Sequence, residues 1–296
     1  MNQYVDLHMH SLWSDGIHPP AELVAMASAS GLRAIAIADH DSVDGIDEAL
    51  EAGLRCGIEV IPAVELSVEF KRFRDIHLLG YFIDHRDAGL RSLLAGFRSR
   101  REERGHAIID RINRRLARQG KGRISHHDMP DIGEGAFGRP HIARLLVTKG
   151  VARDMQDAFD SYLIPCNVPK RYLPMAEALA EIHRLGGIAV LAHPQSISRD
   201  RGVIRETVRE LATMGLDGLE VFNNMCFDDD MIFLEDLAAA HTLVMTGGSD
   251  FHGFEDDVAI GVGRGGLSVA YRLVDAMRLR QAYICRSSSQ GGGRTV

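Results

Sequence analysis

Short apolar segments alternate with longer segments of helical period along most of the chain. The short segments predict buried strands at residues 4–7, 34–38, 60–66, 76–82, 188–192, 218–222 and 243–246. The longer segments predict helices at residues 19–30, 46–56, 175–185, 203–214 and 229–240. Such alternation is typical of an α/β protein with a mostly parallel sheet. About seven strand–helix units over this length favour a closed barrel over an open sheet.

The alternation stops between residues 87 and 171, where the pattern is helical throughout. Helices are expected at residues 89–119, 140–149 and 154–163, with no convincing strand between them. We therefore predict a barrel formed by residues 1–86 and 172–286, with residues 87–171 as a helical insertion subdomain over its C-terminal face. Residues 287–296 are of low complexity, and we expect a disordered tail there.

The composition is that of an ordinary globular protein, with 45% hydrophobic and 25% charged residues among 296. The formal charge of −7 argues against a general basic nucleic-acid binder. Locally the sign reverses, because residues 98–123 hold ten Lys and Arg against three Asp and Glu. No apolar run is long enough for a membrane helix, no secretory signal is evident, and the four cysteines are widely spaced. We therefore expect a cytoplasmic protein with reduced thiols and no membrane contact.

Six of the 14 histidines fall at or just beyond predicted strand ends, together with three carboxylates. His8 and His10 alternate at the end of the first strand, so both side chains project to the same face. The full set is His8, His10, Asp15, His40, Glu65, His77, His193, Asp250 and His252. Since the carboxyl ends of barrel strands meet at one rim, we expect these groups to converge there. Imidazole and carboxylate groups are ligands of divalent metal ions.

A structural explanation has to be weighed against the metal site. One histidine at a strand end is more often a hydrogen-bonded structural residue than a ligand, and an HxH pair alone is weak evidence. Five strand ends that carry His, Asp or Glu in register have no such simple explanation. Nine candidate ligands also exceed the needs of one ion. We therefore predict two or three divalent ions, with Glu65 as a bridging carboxylate.

These motifs resemble those of the polymerase-and-histidinol-phosphatase (PHP) family of the amidohydrolase superfamily. The matching segments are 6–11 (DLHMHS), 14–16 (SDG), 38–41 (ADHD), Glu65, His77, 192–194 (AHP) and 249–252 (SDFH), in family order over most of the chain. The resemblance implies a distorted seven-stranded (β/α) barrel and two or three bound ions. Mn²⁺ is favoured among them, with Zn²⁺, Fe²⁺ or Mg²⁺ as alternatives.

The resemblance also implies how the ligands divide among the ions. The three sets are His8, His10, Glu65 and Asp250; Glu65, His77 and His193; and Asp15, His40 and His252. Asp15 stands where many relatives have histidine, and a carboxylate there favours a harder ion or weaker occupancy. The candidate catalytic residues are His8, Glu65, His193, Asp250 and His252.

Segment 137–143 (FGRPHIA) in the insertion resembles a bacterial branch of the family that acts on nucleoside 3′,5′-bisphosphates. The resemblance implies a phosphoesterase that converts, for example, adenosine 3′,5′-bisphosphate to AMP and phosphate, with a metal-activated hydroxide as nucleophile. One alternative is a 5′→3′ exoribonuclease on short RNA that uses the arginine-rich helix, whose simpler explanation is a solvated face. Another is a phosphatase of the histidinol-phosphate type. A non-enzymatic accessory module is disfavoured because the ligand set is intact.

Arg139, His141 and Asn223 are the candidate substrate-binding residues. Arg139 opens a predicted helix, where its guanidinium and the free backbone N–H groups suit a phosphate. An ion pair at the helix start and a packed His141 are the structural alternatives. Asn223 follows a predicted strand and would lie on the rim. We expect a phosphorylated nucleotide, or short RNA, as the partner, and the sequence indicates no obligate protein partner.

Overall fold

The computed structural model describes residues 3–128, 138–254 and 256–291, with the backbone alone for residues 126 and 287–291. This part of the chain contains ten strands and nine α-helices. The strands are β1 Tyr4–Met9, β2 Ala34–Ile37, β3 Glu59–Val60, β4 Ala63–Phe70, β5 Phe73–Tyr81, β6 Leu173–Pro174, β7 Ile188–Leu191, β8 Gly218–Phe222, β9 Val244–Gly247 and β10 Val269–Ala270. The helices are α1 Pro20–Ala29, α2 Ile46–Cys56, α3 Ala88–Arg118, α4 Arg139–Thr148, α5 Met155–Ala158, α6 Met175–Arg184, α7 Arg201–Thr213, α8 Asp228–Ala240 and α9 Arg272–Gly291. The predicted α/β class is confirmed.

The strands form two sheets, in the orders β10-β1-β2-β3 and β6-β4-β5-β7-β8-β9. Five of the eight strand pairs within these sheets are parallel, and three pairs, β4 with β5, β5 with β7, and β1 with β10, are antiparallel. The sequence analysis did not predict the antiparallel hairpin. Only residues 71–72 separate β4 from β5, which leaves no room for the crossover helix that a parallel pair needs.

Backbone hydrogen bonds join the two sheets at two places, which we call the first and the second seam. At the first seam the His10 N–H donates to Phe251 O at 2.9 Å and the Asp250 N–H donates to His8 O at 2.8 Å. At the second seam the Asp41 N–H donates to Glu65 O at 2.9 Å and the Glu65 N–H donates to Asp39 O at 3.2 Å. The regular strand ladders alone do not close into one ring in the described residues, so the closed barrel stays a prediction.

Strand β2 shows how alternation builds the core. Ala34 and Ala36 face a cluster of apolar side chains that both sheets share, whereas Ile35 and Ile37 face α1 and α2. Because both faces of the strand are buried, its sequence is an uninterrupted apolar run.

The insertion has an apolar cluster of its own, to which the second half of α3, α4 and the segment around residue 162 contribute. Asp87 is the N-cap of α3, and its side chain accepts a hydrogen bond from the Leu90 N–H at 2.8 Å. The first half of α3 instead packs on the outer core of the sheets through Leu90, Leu94 and Phe97. The helix therefore belongs to both parts, and the limits of the insertion stay a prediction.

The last helix continues to Gly291, so residues 287–291 are helical where the sequence analysis expected a disordered tail. The preceding turns of α9 supply the reason, because Val274 and Met277 are fully buried in the shared core and anchor the helix. Residues 292–296 lie outside the described residues. In the described part of the chain, no helix has the length and apolar character needed to cross a membrane.

Candidate metal centre

His8 and His10 form one wall of the candidate site. They lie at the end of β1, with the buried Met9 between them, and both imidazoles are fully buried. Their Nε2 atoms are 3.1 Å apart, so two ring nitrogens point at the same space. The strand alternation that the sequence predicted for this pair is confirmed by this geometry.

Glu65 lies at the centre of the site with no exposed surface. Five histidines surround its carboxylate, with nitrogen–oxygen distances of 3.4 Å to His8, 3.4 Å to His10, 2.8 Å to His40, 3.0 Å to His77 and 3.2 Å to His193. The sequence analysis put Glu65 and His77 at strand ends, which is wrong. Glu65 is the third residue of β4 and His77 is in the middle of β5, because Pro62 separates β3 from β4 and the hairpin extends past the rim.

Asp15, Asp250 and His252 form the opposite wall. His252 Nε2 is 3.3 Å from Asp15 Oδ1, and His10 Nε2 is 3.0 Å from Asp250 Oδ1. His40 Nε2 is 3.8 Å from Asp15 Oδ2, which connects this wall to Glu65. The structure thus brings all nine predicted ligands into one connected cluster.

The donor set fits divalent ions. Three groups of residues each offer ligand atoms within 4.8 Å of one another: His10, Asp15, His40 and His252; His8, His10 and Glu65; and His40, Glu65 and His77. Three buried atoms among them, Asp15 Oδ1, His40 Nδ1 and Glu65 Oε2, make no hydrogen bond of acceptable geometry. Buried polar atoms are normally hydrogen-bonded, so donors and acceptors that face one space without such a bond fit the binding of a cation.

The electrostatics of the cluster agree with a cation site. Burial alone would raise the pKa of Glu65 and of Asp15, but the surrounding histidines hold both well below the usual range. Burial alone would lower the pKa of His77, but Glu65 and Asp75 raise it to about 9. In the same way Asp15 and Asp250 raise the pKa of His252 to about 10. The carboxylates are therefore ionised at neutral pH and favour protons on His77 and His252, whereas burial lowers the pKa of His10 and of His40.

Two site residues have strained backbones. His193 has a φ of 23° and Asp250 a φ of 52°, both in the region that disfavours residues with a Cβ. Such strain costs on the order of 1–3 kcal/mol per residue and is typical of functional sites. Here it turns the His193 ring toward Glu65 and the Asp250 carboxylate toward His8 and His10.

Other carboxylates next to the ligands hold the loops rather than facing the cluster. Asp39 accepts hydrogen bonds from the Ser11 N–H at 2.7 Å and the Ser14 hydroxyl at 2.6 Å, which fixes the loop that carries Asp15. Asp41 accepts from the Ser67 N–H at 2.8 Å and pairs with Arg101. In the 39–41 segment His40 is therefore the residue that reaches the centre.

A cavity of about 200 Å³ opens on the centre. Its lining residues are Asp15, His40, Asp75, His77, Arg101, Arg104, Gly138, Arg139, Pro140, Phe159 and Lys170. Lys170 is one that the sequence analysis missed; its Nζ donates to Ser67 Oγ at 2.6 Å and to Asp75 Oδ1 at 3.2 Å. Sequence alone offers no signal for it, because it follows an irregular segment after the insertion helices.

The three predicted substrate-binding residues are placed differently. Arg139 lines the cavity, with its guanidinium 3.8 Å from Asp75. His141 is buried, and its Nδ1 accepts a hydrogen bond from the Gly138 N–H at 3.1 Å. Asn223 is also buried, and its amide pairs with the backbone of Glu220 and Met225. Phe137, part of the motif around Arg139, lies outside the described residues.

Glu220 is a second residue that the sequence analysis missed. It is fully buried in β8, and its Oε1 is 2.8 Å from His8 Nδ1. A signal exists in the sequence, because Glu220 interrupts the apolar run of residues 218–222 just as Glu65 interrupts that of residues 63–66. A carboxylate inside a buried strand requires a polar partner.

Comparison with known proteins agrees with this geometry. The family model of the PHP domain matches residues 6–162. The chain is 33% identical over 256 residues to the 5′-3′ exoribonuclease of Haemophilus influenzae, covering 85% of this chain and 91% of that protein. It is 32% identical over 252 residues to the 3′,5′-nucleoside bisphosphate phosphatase of Chromobacterium violaceum, covering 84% and 87%. A solved structure from Bifidobacterium adolescentis, assigned as a metal-dependent phosphoesterase, superposes with a TM-score of 0.81 at 30% identity, over 94% of this chain and 96% of that one.

Proposed function

The chain belongs to the PHP domain family and is a hydrolase of phosphoester bonds, and from this premise we propose that it removes the 3′-phosphate of nucleoside 3′,5′-bisphosphates. The observation that carries the proposal is the cavity that joins the candidate metal centre to a group of cations. The candidate ligands His40 and His77 line it together with three basic residues, Arg104, Arg139 and Lys170. A substrate with two phosphate groups suits a cavity that adjoins the candidate metal centre and also carries basic side chains. The name of the C. violaceum relative supports this substrate class.

The proposed ligands of the ions are the three sets given above, with Glu65 shared between two of them. When bound, divalent ions would supply an activated water and neutralise charge on the phosphate oxygens. The chain's own residues bind and orient the rest of the substrate. Arg139 offers a planar guanidinium for bidentate contact with a phosphate, and Asp75 holds both it and Lys170 in place. Phe159 lies on the same wall, with its ring 6.0 Å from the Arg139 guanidinium, and excludes water there.

We also propose that the two sheets together form the distorted seven-stranded barrel. Its seven strands would be β1, β2, β4, β5, β7, β8 and β9. Regular strand pairing would join them within each sheet, and the two seams would join one sheet to the other. The ligands lie on both seams, so closing the barrel and assembling the centre would be the same event.

A comparison of three mononucleotides tests the proposed reaction. With Mn²⁺ present, we expect phosphate release from adenosine 3′,5′-bisphosphate and, more weakly, from 3′-AMP, while 5′-AMP accumulates as product. Loss of a charged hydrogen-bonding partner costs about 1.5–3 kcal/mol, so Arg139→Met should raise the KM for the bisphosphate by about 10- to 100-fold. The KM for 3′-AMP should stay nearly constant, because that substrate lacks the second phosphate.

The matched control is Arg153→Met, which removes an exposed arginine of the same insertion whose partner is Asp157. It should leave both KM values unchanged. Turnover of histidinol phosphate without turnover of the bisphosphate would contradict the proposal. Equal effects of Arg139→Met on both nucleotides would contradict the role given to Arg139.

A second cavity favours short RNA as an alternative substrate. Its volume is about 310 Å³, and it shares Arg101, Arg104 and Lys170 with the cavity at the centre while adding Arg100 and Arg171. A polyanionic chain could therefore continue from the centre along cations. The name of the H. influenzae relative supports this alternative.

The Arg100→Ser, Arg171→Ser double variant separates the two substrates. It should slow cleavage of a 5′-phosphorylated oligoribonucleotide and spare the bisphosphate if RNA extends into the second cavity. The predicted RNA-binding face of α3 is tested separately by charge reversal at Arg111, Arg114 and Arg115, of which Arg111 already donates to Asn167 O. A parallel fall in both activities would contradict a separate RNA path.

A further inference from the structure

Glu220 joins two candidate metal ligands that come from different strands. Its Oε1 is 2.8 Å from His8 Nδ1 at the end of β1. Its Oε2 accepts a hydrogen bond from the His193 backbone N–H at 2.7 Å, directly after β7. One carboxylate therefore contacts a ligand ring on one side and a ligand backbone on the other.

The contact with His8 orients that ring. A carboxylate is an acceptor, so His8 Nδ1 must carry the proton of this hydrogen bond. In the neutral imidazole Nε2 then has its lone pair free, and Nε2 is the atom that faces Glu65 and Asp250, at 3.4 and 3.5 Å. Hydrogen bonding at one ring nitrogen thus decides which nitrogen can bind a cation.

The contact with His193 holds a strained residue. The backbone of His193 has a φ of 23° and a ψ of 69°, a conformation that needs support from its surroundings. The hydrogen bond from its N–H to Glu220 gives that support, and Ser196 Oγ is 3.1 Å from His193 Nδ1. With both contacts in place, His193 Nε2 points at Glu65.

Glu220 also contributes charge. Among the described residues its ion-pair partner is His8, with no arginine or lysine beside it, and it has no exposed surface. Together with the predicted ligands Asp15, Glu65 and Asp250 it gives a formal charge of −4, which two divalent cations would balance. A buried carboxylate without a basic partner is costly unless other positive charge is close.

We propose that Glu220 is a positioning residue that fixes the His8 ring and the His193 backbone together and thereby raises the affinity of the centre for divalent cations. This inference rests on the metal centre of the proposed function. It assigns Glu220 no contact with substrate. Outer partners of metal ligands typically change metal affinity by about 10- to 100-fold.

Glu220→Gln is the most informative variant, because it keeps the shape of the side chain and reverses the direction of its hydrogen bond with His8 Nδ1. The amide oxygen can still accept from the His193 N–H, so the amide NH₂ faces His8 and donates to Nδ1. His8 then carries its proton on Nε2, which points at the centre and obstructs cation binding. By calorimetry with Mn²⁺ alone, we expect affinity to fall by about 10- to 100-fold.

Asp217→Asn is the matched control. Asp217 is equally buried, and its Oδ2 accepts a hydrogen bond from the Ala189 N–H at 2.9 Å and lies 2.7 Å from His183 Nε2. These contacts lie at the amino ends of β7 and β8, whereas His193 and Glu220 lie toward the carboxyl ends of the same two strands. It should lower thermal stability without changing Mn²⁺ affinity. Equal losses of affinity in both variants would show a general folding effect and overturn the proposal.

A second measurement does not depend on the variants folding. In the Zn²⁺-loaded wild-type protein, nitrogen NMR of labelled histidine should show a proton on His8 Nδ1 in a strong hydrogen bond. Absence of that proton, or unchanged Mn²⁺ affinity in folded Glu220→Gln, would overturn the role of Glu220 while leaving the metal centre intact. A wild-type protein that binds no Mn²⁺ would overturn both.

Discussion

Among the carboxylates of the candidate centre, Glu65 contacts the largest number of described histidines. Five histidines approach its two oxygens, and its side chain has no exposed surface. Its negative charge is stabilised by those imidazoles, which hold the pKa of its carboxyl well below the usual range. The position combines burial, charge and a shared location between two ligand sets.

Replacing that charge tests the centre at the residue scale. Glu65→Gln should lower phosphatase activity by more than about 100-fold, the upper range for outer partners of ligands, because a ligand itself is lost. Metal analysis of the purified variant should show fewer bound ions. Glu69→Gln is the control, since Glu69 lies on the same strand but is half-exposed and paired with Arg74. A Glu65→Gln protein with wild-type activity and metal content would contradict the assignment.

The sequence predicts the ligand residues better than the residues that support them. Strand alternation and strand-end positions are local signals, and they were enough to bring His8, His10 and Asp250 into one prediction. Lys170 acts through Ser67 and Asp75, more than 90 residues away, so no local spacing marks it. Glu220 is marked only as a charge inside an apolar run, and its partners His8 and His193 come from other strands. Their roles follow only from the way the strands pack.

At the scale of elements, the β4–β5 hairpin explains the main error of the sequence analysis. The sequence predicts strands at residues 60–66 and 76–82 in a mostly parallel sheet, but Lys71, with a φ of 54°, lies in a two-residue turn that reverses the chain between them. β5 therefore runs antiparallel to both its neighbours. Hydrophobic alternation predicts that a strand exists but does not give its direction.

The helical insertion should unfold more independently of the two sheets than any other part of the described chain, because it has an apolar cluster of its own. Leu146 is fully buried in the insertion's own apolar cluster, so Leu146→Ala should cost about 2–5 kcal/mol. If this cluster unfolds on its own, circular dichroism should show an early thermal transition. The fluorescence of Trp13, the single tryptophan, reports on the sheet part and should not follow it.

The matched control for that variant is Leu234→Ala, which removes an equally buried leucine from the outer core of the sheets. There we expect both signals to shift together. Mn²⁺ affinity should survive Leu146→Ala, while the kcat/KM for the bisphosphate falls because Arg139 lies on α4. A single transition seen by both probes in Leu146→Ala would show that the insertion is not an independent unit.

At the scale of the whole molecule, the centre lies where the two sheets meet. One seam carries His8, His10 and Asp250, and the other carries His40 and Glu65. Cations held by both groups would link segments that are far apart in the chain. Metal binding should therefore stabilise the global fold rather than one loop.

Thermal unfolding of the chelator-treated protein tests this link. At a free Mn²⁺ concentration about 100 times the dissociation constant, one site adds about 2.7 kcal/mol of stability. For a chain of this size that corresponds to a rise in Tm of about 4 °C, and to more if several ions bind. The rise should be seen equally by Trp13 fluorescence and by circular dichroism of the helices that cover both sheets.

The Asp250→Asn variant distinguishes bridging from nonspecific stabilisation by salt. Asp250 is 3.0 Å from His10 and 3.5 Å from His8, so its carboxylate is needed where the first seam meets the centre. The variant should keep its fold in chelator and lose most of the Mn²⁺-dependent rise in Tm, whereas Asp257→Asn, which affects an exposed carboxylate paired with Arg264, should keep it. A rise of the same size in both variants would mean that the cation acts elsewhere on the surface, and that the seams are held by backbone hydrogen bonds alone.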